Sequence, residues 1–184
     1  ANFINTGNFL PLGVGQLYWL SAGRDVTNSG TLRTQSGPYN YTDIEAETGN
    51  VTNTGTLEVP GNLEVYTDQG THGGNINMGG TINFFNPGLG GVCVDMYADT
   101  VGDITWSANT TLAANTWVDY FDAEAYKGTV NINAPVSVLA HDLWDVVYLD
   151  GVNVNVNKPI TVGIEPGGSQ VGAVEIWSEG PASK

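Results

Sequence analysis

The chain has 184 residues, of which 41% are hydrophobic, a composition that suits one folded domain with a continuous core and excludes wholesale disorder. Charged residues make up only 13%, and five basic residues against nineteen acidic ones leave a net charge of −14. That balance excludes phosphate neutralisation on a nucleic acid and adsorption to an anionic membrane surface. A single cysteine, Cys93, leaves no internal disulfide and no cysteine metal cage, and no apolar run is long enough to span a bilayer.

The first predicted element is the unit Ile4-Asn-Thr-Gly-Asn-Phe9, with a second strand over residues 17–20. Next come Val26-Thr-Asn-Ser-Gly-Thr-Leu32, with a strand over 41–47, and Val51-Thr-Asn-Thr-Gly-Thr-Leu57, with a strand over 63–67. Ile76-Asn-Met-Gly-Gly-Thr-Ile82 precedes a strand over 92–98, and Ile104-Thr-Trp-Ser-Ala-Asn-Thr-Thr-Leu112 precedes one over 117–125. Val130-Asn-Ile-Asn-Ala-Pro-Val136 and Val154-Asn-Val-Asn-Lys-Pro-Ile160 complete the series, followed by strands over 143–149 and 171–177. Successive units start 22, 25, 25, 28, 26 and 24 residues apart. Motifs copied this closely at one period mark a repeat architecture.

Within the second strands, apolar and polar residues alternate with period two, as expected of a strand with one buried face. Leu63, Val65 and Thr67 share one face, with Glu64 and Tyr66 on the other. Val92, Val94, Met96 and Ala98 point inward, and Cys93, Asp95 and Tyr97 outward. Gly49-Asn50, Gly73-Gly74-Asn75, Gly102-Asp103 and Gly151 stand just before each unit as corners. Gly30, Gly55 and Gly80 mark a second corner inside the motif, near which Pro135 and Pro159 stand in later units.

The prediction is an all-β, single-stranded parallel β-helix, a β-solenoid of about seven coils and roughly 25 residues per coil, filling residues 1–184 as one domain. One coil cannot bury its Val, Ile and Leu side chains, but coils stacked about 4.8 Å apart share a core and form a rod roughly 35 Å long. Thr27, Thr52, Asn77, Thr105, Asn131 and Asn155 are expected to form an outward polar ladder. The competing β-sandwich has strands about every 8–12 residues and does not explain the longer repeat.

The run Leu17-Tyr-Trp-Leu-Ser-Ala-Gly-Arg-Asp-Val-Thr-Asn-Ser-Gly-Thr-Leu32, with its echo at residues 51–57, resembles the repeats of filamentous haemagglutinin-type bacterial exoproteins and adhesins. The resemblance covers residues 17–82 and implies a right-handed parallel β-helix, export, and an extracellular or cell-surface location. Such exoproteins are many times longer than this chain.

Several chemistries are open to such a surface. Carboxylates for a polysaccharide-active enzyme are present at Asp43, Glu45, Glu47, Glu64, Asp95, Asp119, Asp122, Glu124, Asp145 and Glu175. The cationic partners are sparse: Arg24, Arg33, Lys127 and Lys158 are scattered, and His72 and His141 fall in turn-like segments. No nucleophile, phosphate-loop or metal-protease motif occurs, so an enzyme is not expected and no cofactor is implied. Asp95, Asp122, Glu124 and Asp145 would neighbour one another on successive coils, where a bridging Ca²⁺ would relieve their repulsion; a solvated acidic face is the simpler expectation. Tyr66, Tyr97, Tyr120, Tyr126 and Tyr148 share the outward parity, as an aromatic ladder or a surface for glycans or neighbouring filaments. Asn40, Asn50 and Asn109 lie in glycosylation sequons.

Both ends of the repeat read as strand, with no signal peptide and no capping helix, as in a processed mature protein or an excised fragment. The expected function is therefore a secreted structural subunit that polymerises head to tail with itself. Phe3, Ile4 and Phe9 form one end and Val174, Ile176 and Trp177 the other. The alternative is an adhesin or carbohydrate-binding passenger segment of a larger exoprotein.

Overall fold

The short alternating runs fold as strands, three to a coil, in a computed structural model that describes residues 1–11, 17–35, 41–67, 73–85, 90–140, 146–169 and 172–178. Every described strand pairing is parallel, no described segment is helical, and equivalent residues lie level on successive coils, so the chain is a β-solenoid. The first column of strands contains β1 (Phe3–Asn5), β4 (Val26–Asn28), β7 (Val51–Asn53), β10 (Ile76–Met78) and β13 (Ile104–Trp106). It continues in the later parts of β15 (Trp117–Ile132) and β17 (Val146–Val156). The second column contains β2 (Asn8–Phe9), β5 (Thr31–Arg33), β8 (Thr56–Val59), β11 (Thr81–Phe84) and β14 (Asn109–Leu112), then β16 (Val136–Ala140) and β18 (Ile160–Ile164). The third contains β3 (Trp19–Ala22), β6 (Tyr41–Ala46), β9 (Asn62–Thr67), β12 (Gly91–Ala98), the earlier parts of β15 and β17, and β19 (Ala173–Ser178).

Two strands per unit were expected, and the structure has three. The repeated motif bends at its internal glycine into two short strands. The bend needs glycine because successive corners stack in close contact: a Cβ on Gly55 would lie 2.1 Å from the Gly30 carbonyl oxygen. The expected outward ladder is present, with Thr27, Thr52, Asn77, Thr105, Asn131 and Asn155 level with one another. The register takes about six turns, from Phe3 through Val26, Val51, Ile76, Ile104 and Val130 to Val154.

Two side-chain ladders lock that register. At one corner Asp25, Asn50, Asn75 and Asp103 each accept a backbone N–H from the next coil. The donors are Asn50 (3.0 Å), Asn75 (2.8 Å), Asp103 (2.8 Å) and Thr129 (2.8 Å). The second ladder lies inside the core. Asn5 Nδ2 donates to Asn28 Oδ1 at 2.8 Å, and Asn28 Nδ2 to Asn53 Oδ1 at 2.7 Å. The same nitrogens donate to the carbonyls of Thr31 and Thr56, each at 3.0 Å, and Asn53 Nδ2 donates to Gly79 at 2.6 Å. A buried amide is tolerated when its protons and oxygen are matched, and here they are.

The inner ladder also corrects the first interval of the repeat. Ile4 was aligned with Val26, but Phe3 pairs with Val26 and Ile4 with Thr27, a step of 23 residues. A slip of one residue would turn Asn5 out and Ile4 in, and would break the amide ladder. Ile4 therefore faces outward at 63% exposure.

The remaining inward positions make one apolar core. Leu32, Leu57 and Ile82 stack in the second column, and Leu63 and Val65 continue into Val94 and Met96 in the third. Trp106 and Phe121 meet edge to face, with ring centroids 5.1 Å apart. Replacing Asn28 by Ala strips the Asn5 amide and the Thr56 carbonyl of buried partners. The expected cost is about 2–4 kcal/mol in urea unfolding; an unchanged unfolding midpoint would show that the inner ladder is energetically idle.

Candidate functional site

The outward residues of the third column form two parallel files of side chains. In one, Trp19, Asp43, Glu64, Asp95, Asp122, Tyr148 and Glu175 are level on successive coils. In the other, Ser21, Glu45, Tyr66, Tyr97, Glu124, Asp150 and Trp177 are level. Four carboxyls thus follow one another directly, at the strand spacing where like charges repel.

Burial decides how that repulsion is resolved. Neighbouring aromatic rings and coils leave Asp95 only 7% exposed and Asp122 only 3%. Burial, reinforced by the Glu64 charge, pushes the Asp95 carboxyl up to about 7. Burial, reinforced by Glu124, does the same for Asp122, up to about 7. Two hydroxyls work against the second shift: Tyr97 donates to Asp122 Oδ2 at 3.1 Å and Tyr120 at 3.4 Å. Burial raises Asp43 as well, and raises Glu64 with help from the Asp43 charge. The Tyr97 and Tyr120 phenols rise through burial and then through Asp122, so both remain protonated donors. With both carboxyls raised, the neutral acid is favoured at each, which lessens the repulsion between them.

The structure brings together some of the sequence candidates and separates others. Asp95 and Asp122 are level, as expected, but Glu124 lies beside Tyr97 and Asp150, one file away. Asp145, His72, His141 and Asn40 lie outside the described residues. Among the described residues no three His, Cys, Asp or Glu side chains are grouped to hold a metal ion. Tyr66 and Tyr97 are level in one file and Tyr148 lies in the other, whereas Tyr120 is level with Cys93. Tyr126 stands apart at 69% exposure, beside a register shift, with Lys127 Nζ 5.4 Å from its ring centroid. Asn50 serves the corner ladder, and Asn109 is exposed on β14.

Other residues noted in the sequence, but not grouped there with Asp95 and Asp122, also join the face. Asp43 and Glu64 extend the carboxyl file toward the N-terminus, and the Trp19 indole N–H donates to Glu45 Oε2 at 3.3 Å. The loops between coils vary in length, so constant spacing could not align these residues; only strand register does.

Chemically, burial makes the face favour neutral carboxyls at Asp95 and Asp122. A general acid must come within hydrogen-bond reach of its substrate, and Asp95 and Asp122 are closed off by burial. Arg33 is engaged elsewhere, paired with Glu58 on the second column and lying 5.1 Å from the Phe85 ring centroid. No family model, no curated protein and no solved structure matches the chain.

Because these carboxyls bind protons more readily folded than unfolded, the stability they contribute is complete below about pH 4. It is lost as pH rises through about 7. Chemical unfolding across pH 4–8 should therefore show stability falling toward neutrality and levelling above it. Asp95→Asn should flatten that slope and add about 2 kcal/mol at pH 8. Stability that rises over this range would contradict the assignment.

Proposed function

We propose that the chain is a secreted structural subunit that polymerises end to end into an extracellular filament, each junction continuing the solenoid. The supporting observation is the state of the first and last layers. At the first layer Ile4, Phe9, Leu10 and Trp19 are 43–63% exposed; at the last, Val156, Ile164, Val174, Ile176 and Trp177 are 42–58% exposed. Val174 and Ile176 occupy core positions: they are level with Val147 and Leu149, both 0% exposed one coil earlier. Among the described residues no coil lies over them.

In-register stacking sets β17 against β1 of the next subunit and β19 against β3. Val154 then meets Phe3, which packs edge to face on Phe9 with ring centroids 6.0 Å apart. Ile176 lies in the file that begins with Leu20, so the two pack together across the junction. Trp177 belongs to an outward file, where it stands level with Ser21 of the next subunit and diagonal to its Trp19, within aromatic reach. Ile4 and Trp177 thus rim the junction, and Phe3, Phe9, Val174 and Ile176 fill it.

Fully burying one such side chain is worth about 1.5–3 kcal/mol, and association costs about 4–15 kcal/mol. Half-exposed side chains at two facing ends, with main-chain pairing, come out just ahead, which makes assembly depend on concentration. A second reading arises from the same open ends and the resemblance of residues 17–32 to exoprotein repeats. In it the covering coils belong to one longer chain, an adhesin or carbohydrate-binding passenger. Catalysis has no part in either reading.

Negative-stain microscopy at rising concentration tests the proposal. Thin filaments are expected from the chain as it stands. Ile176→Asp should abolish them while far-UV circular dichroism and melting temperature stay unchanged, since the side chain is half exposed in the single subunit. Short monodisperse rods at every concentration would favour the longer-chain reading, and filaments unaffected by Ile176→Asp would remove the proposed junction.

A further inference from the structure

The second column is interrupted once. β14 pairs with β11 alone and β16 with β18 alone, although β14 and β16 belong to consecutive coils. The other two columns run through the same layers without a break, since β12 and β13 both pair with β15. One face of the solenoid therefore opens while the others hold the coils at their ordinary spacing.

Behind the opening lies a cavity of about 240 Å³. Trp106, Val118 and Phe121 line it from within the core, Thr110 and Leu112 from β14, and Val136 from β16. Leu112 is level with Phe84, yet it is 40% exposed where Phe84 is 1% exposed, because no described strand covers β14. The Trp106 side chain is 2% exposed, and its indole N–H is buried with no acceptor among the described residues. A buried donor without a partner is rare enough to need an explanation. The polar groups of the cleft stand at its mouth, on the edges of β14 and β16, whereas the side chains around the Trp106 ring are mostly apolar. An apolar cavity of about 150 Å³ already suffices for benzene in another protein.

We propose that this cleft binds a small aromatic molecule, one or two rings in size, that carries a hydrogen-bond acceptor. The ring packs against Trp106 and Phe121, whose edge-to-face arrangement offers both a face and an edge to a third ring. The acceptor takes the Trp106 indole proton. Asn109 and Ser137, exposed at the lips beside the unpaired strand edges, meet any polar substituent at the mouth. The inference is independent of filament formation, because none of the residues named at the junction lines the cleft.

Ligand-observed NMR with acetophenone and toluene as probes tests it, alongside the indole region of the ¹H–¹⁵N spectrum. Acetophenone should bind saturably, about fivefold more tightly than toluene, and should shift one indole N–H resonance that Trp106→Phe removes. Thr110→Phe fills the cleft from the edge strand and should abolish binding of both probes with the melting temperature retained. In Trp106→Phe the two probes should bind equally. Absence of saturable binding to the wild-type chain, equal affinity for the two probes, or binding that survives Thr110→Phe would each overturn the proposal; the first and second are read without any variant.

Discussion

Each coil of this protein completes the hydrogen bonding of the one before it, and the rest of the structure depends on that reciprocity. Main-chain pairing supplies part of it, but pairing alone would allow a coil to slide. The Asx residues at the corner and the amides in the core prevent that, because their acceptors and donors sit at one height per turn. The stacked glycines add a steric condition, since a Cβ at Gly55 or Gly74 would strike the carbonyl of the preceding corner. A register fixed this tightly turns a sequence position into a column. Similar side chains are then forced to stack, whether stacking suits them or not.

The acidic face is where it does not suit them. Asp43, Glu64, Asp95 and Asp122 follow one another because the strands that carry them are in register, not because a site needs four carboxyls. Burial, which favours the neutral acid at Asp95 and Asp122 against the opposing effect of the tyrosine hydroxyls on Asp122, eases the conflict. The cleft between β14 and β16 is a second local departure, in which one column loses its pairing while its neighbours keep theirs.

Much of this was legible in the residues. Near-identical copies at Val26 and Val51 reveal the period, and alternation in Leu63-Glu-Val-Tyr-Thr67 identifies the buried face correctly. The Thr27-to-Asn155 ladder follows from aligning the copies. The failures share a cause: alignment of motifs reports sequence spacing, and chemistry depends on height. Ile4 resembled Val26 more than Phe3 did, but the Asn5 amide decides the register. Asn28 and Asn53 share the inward parity of Val26 and Val51, and their mutual hydrogen bond accounts for polar side chains in the core. Asp95 showed the outward parity it has, yet outward did not mean exposed, because flanking Tyr97 and the adjacent coils cover it. The break at β16 left no trace beyond Pro135, since loss of pairing between two chain segments is not a property of either segment.

In the proposed filament the same reciprocity continues across the junction, with a second copy covering the apolar core positions exposed in the first and last described layers. Cryo-electron microscopy or fibre diffraction of the assembled state measures the axial rise per subunit, which tests this continuation most directly. Seven strand layers at about 4.8 Å predict a rise of about 34 Å with an unbroken 4.8 Å spacing through the junction. A subunit repeat several ångströms longer, or strand spacing that stops at each junction, would show that the coils do not continue from one subunit to the next.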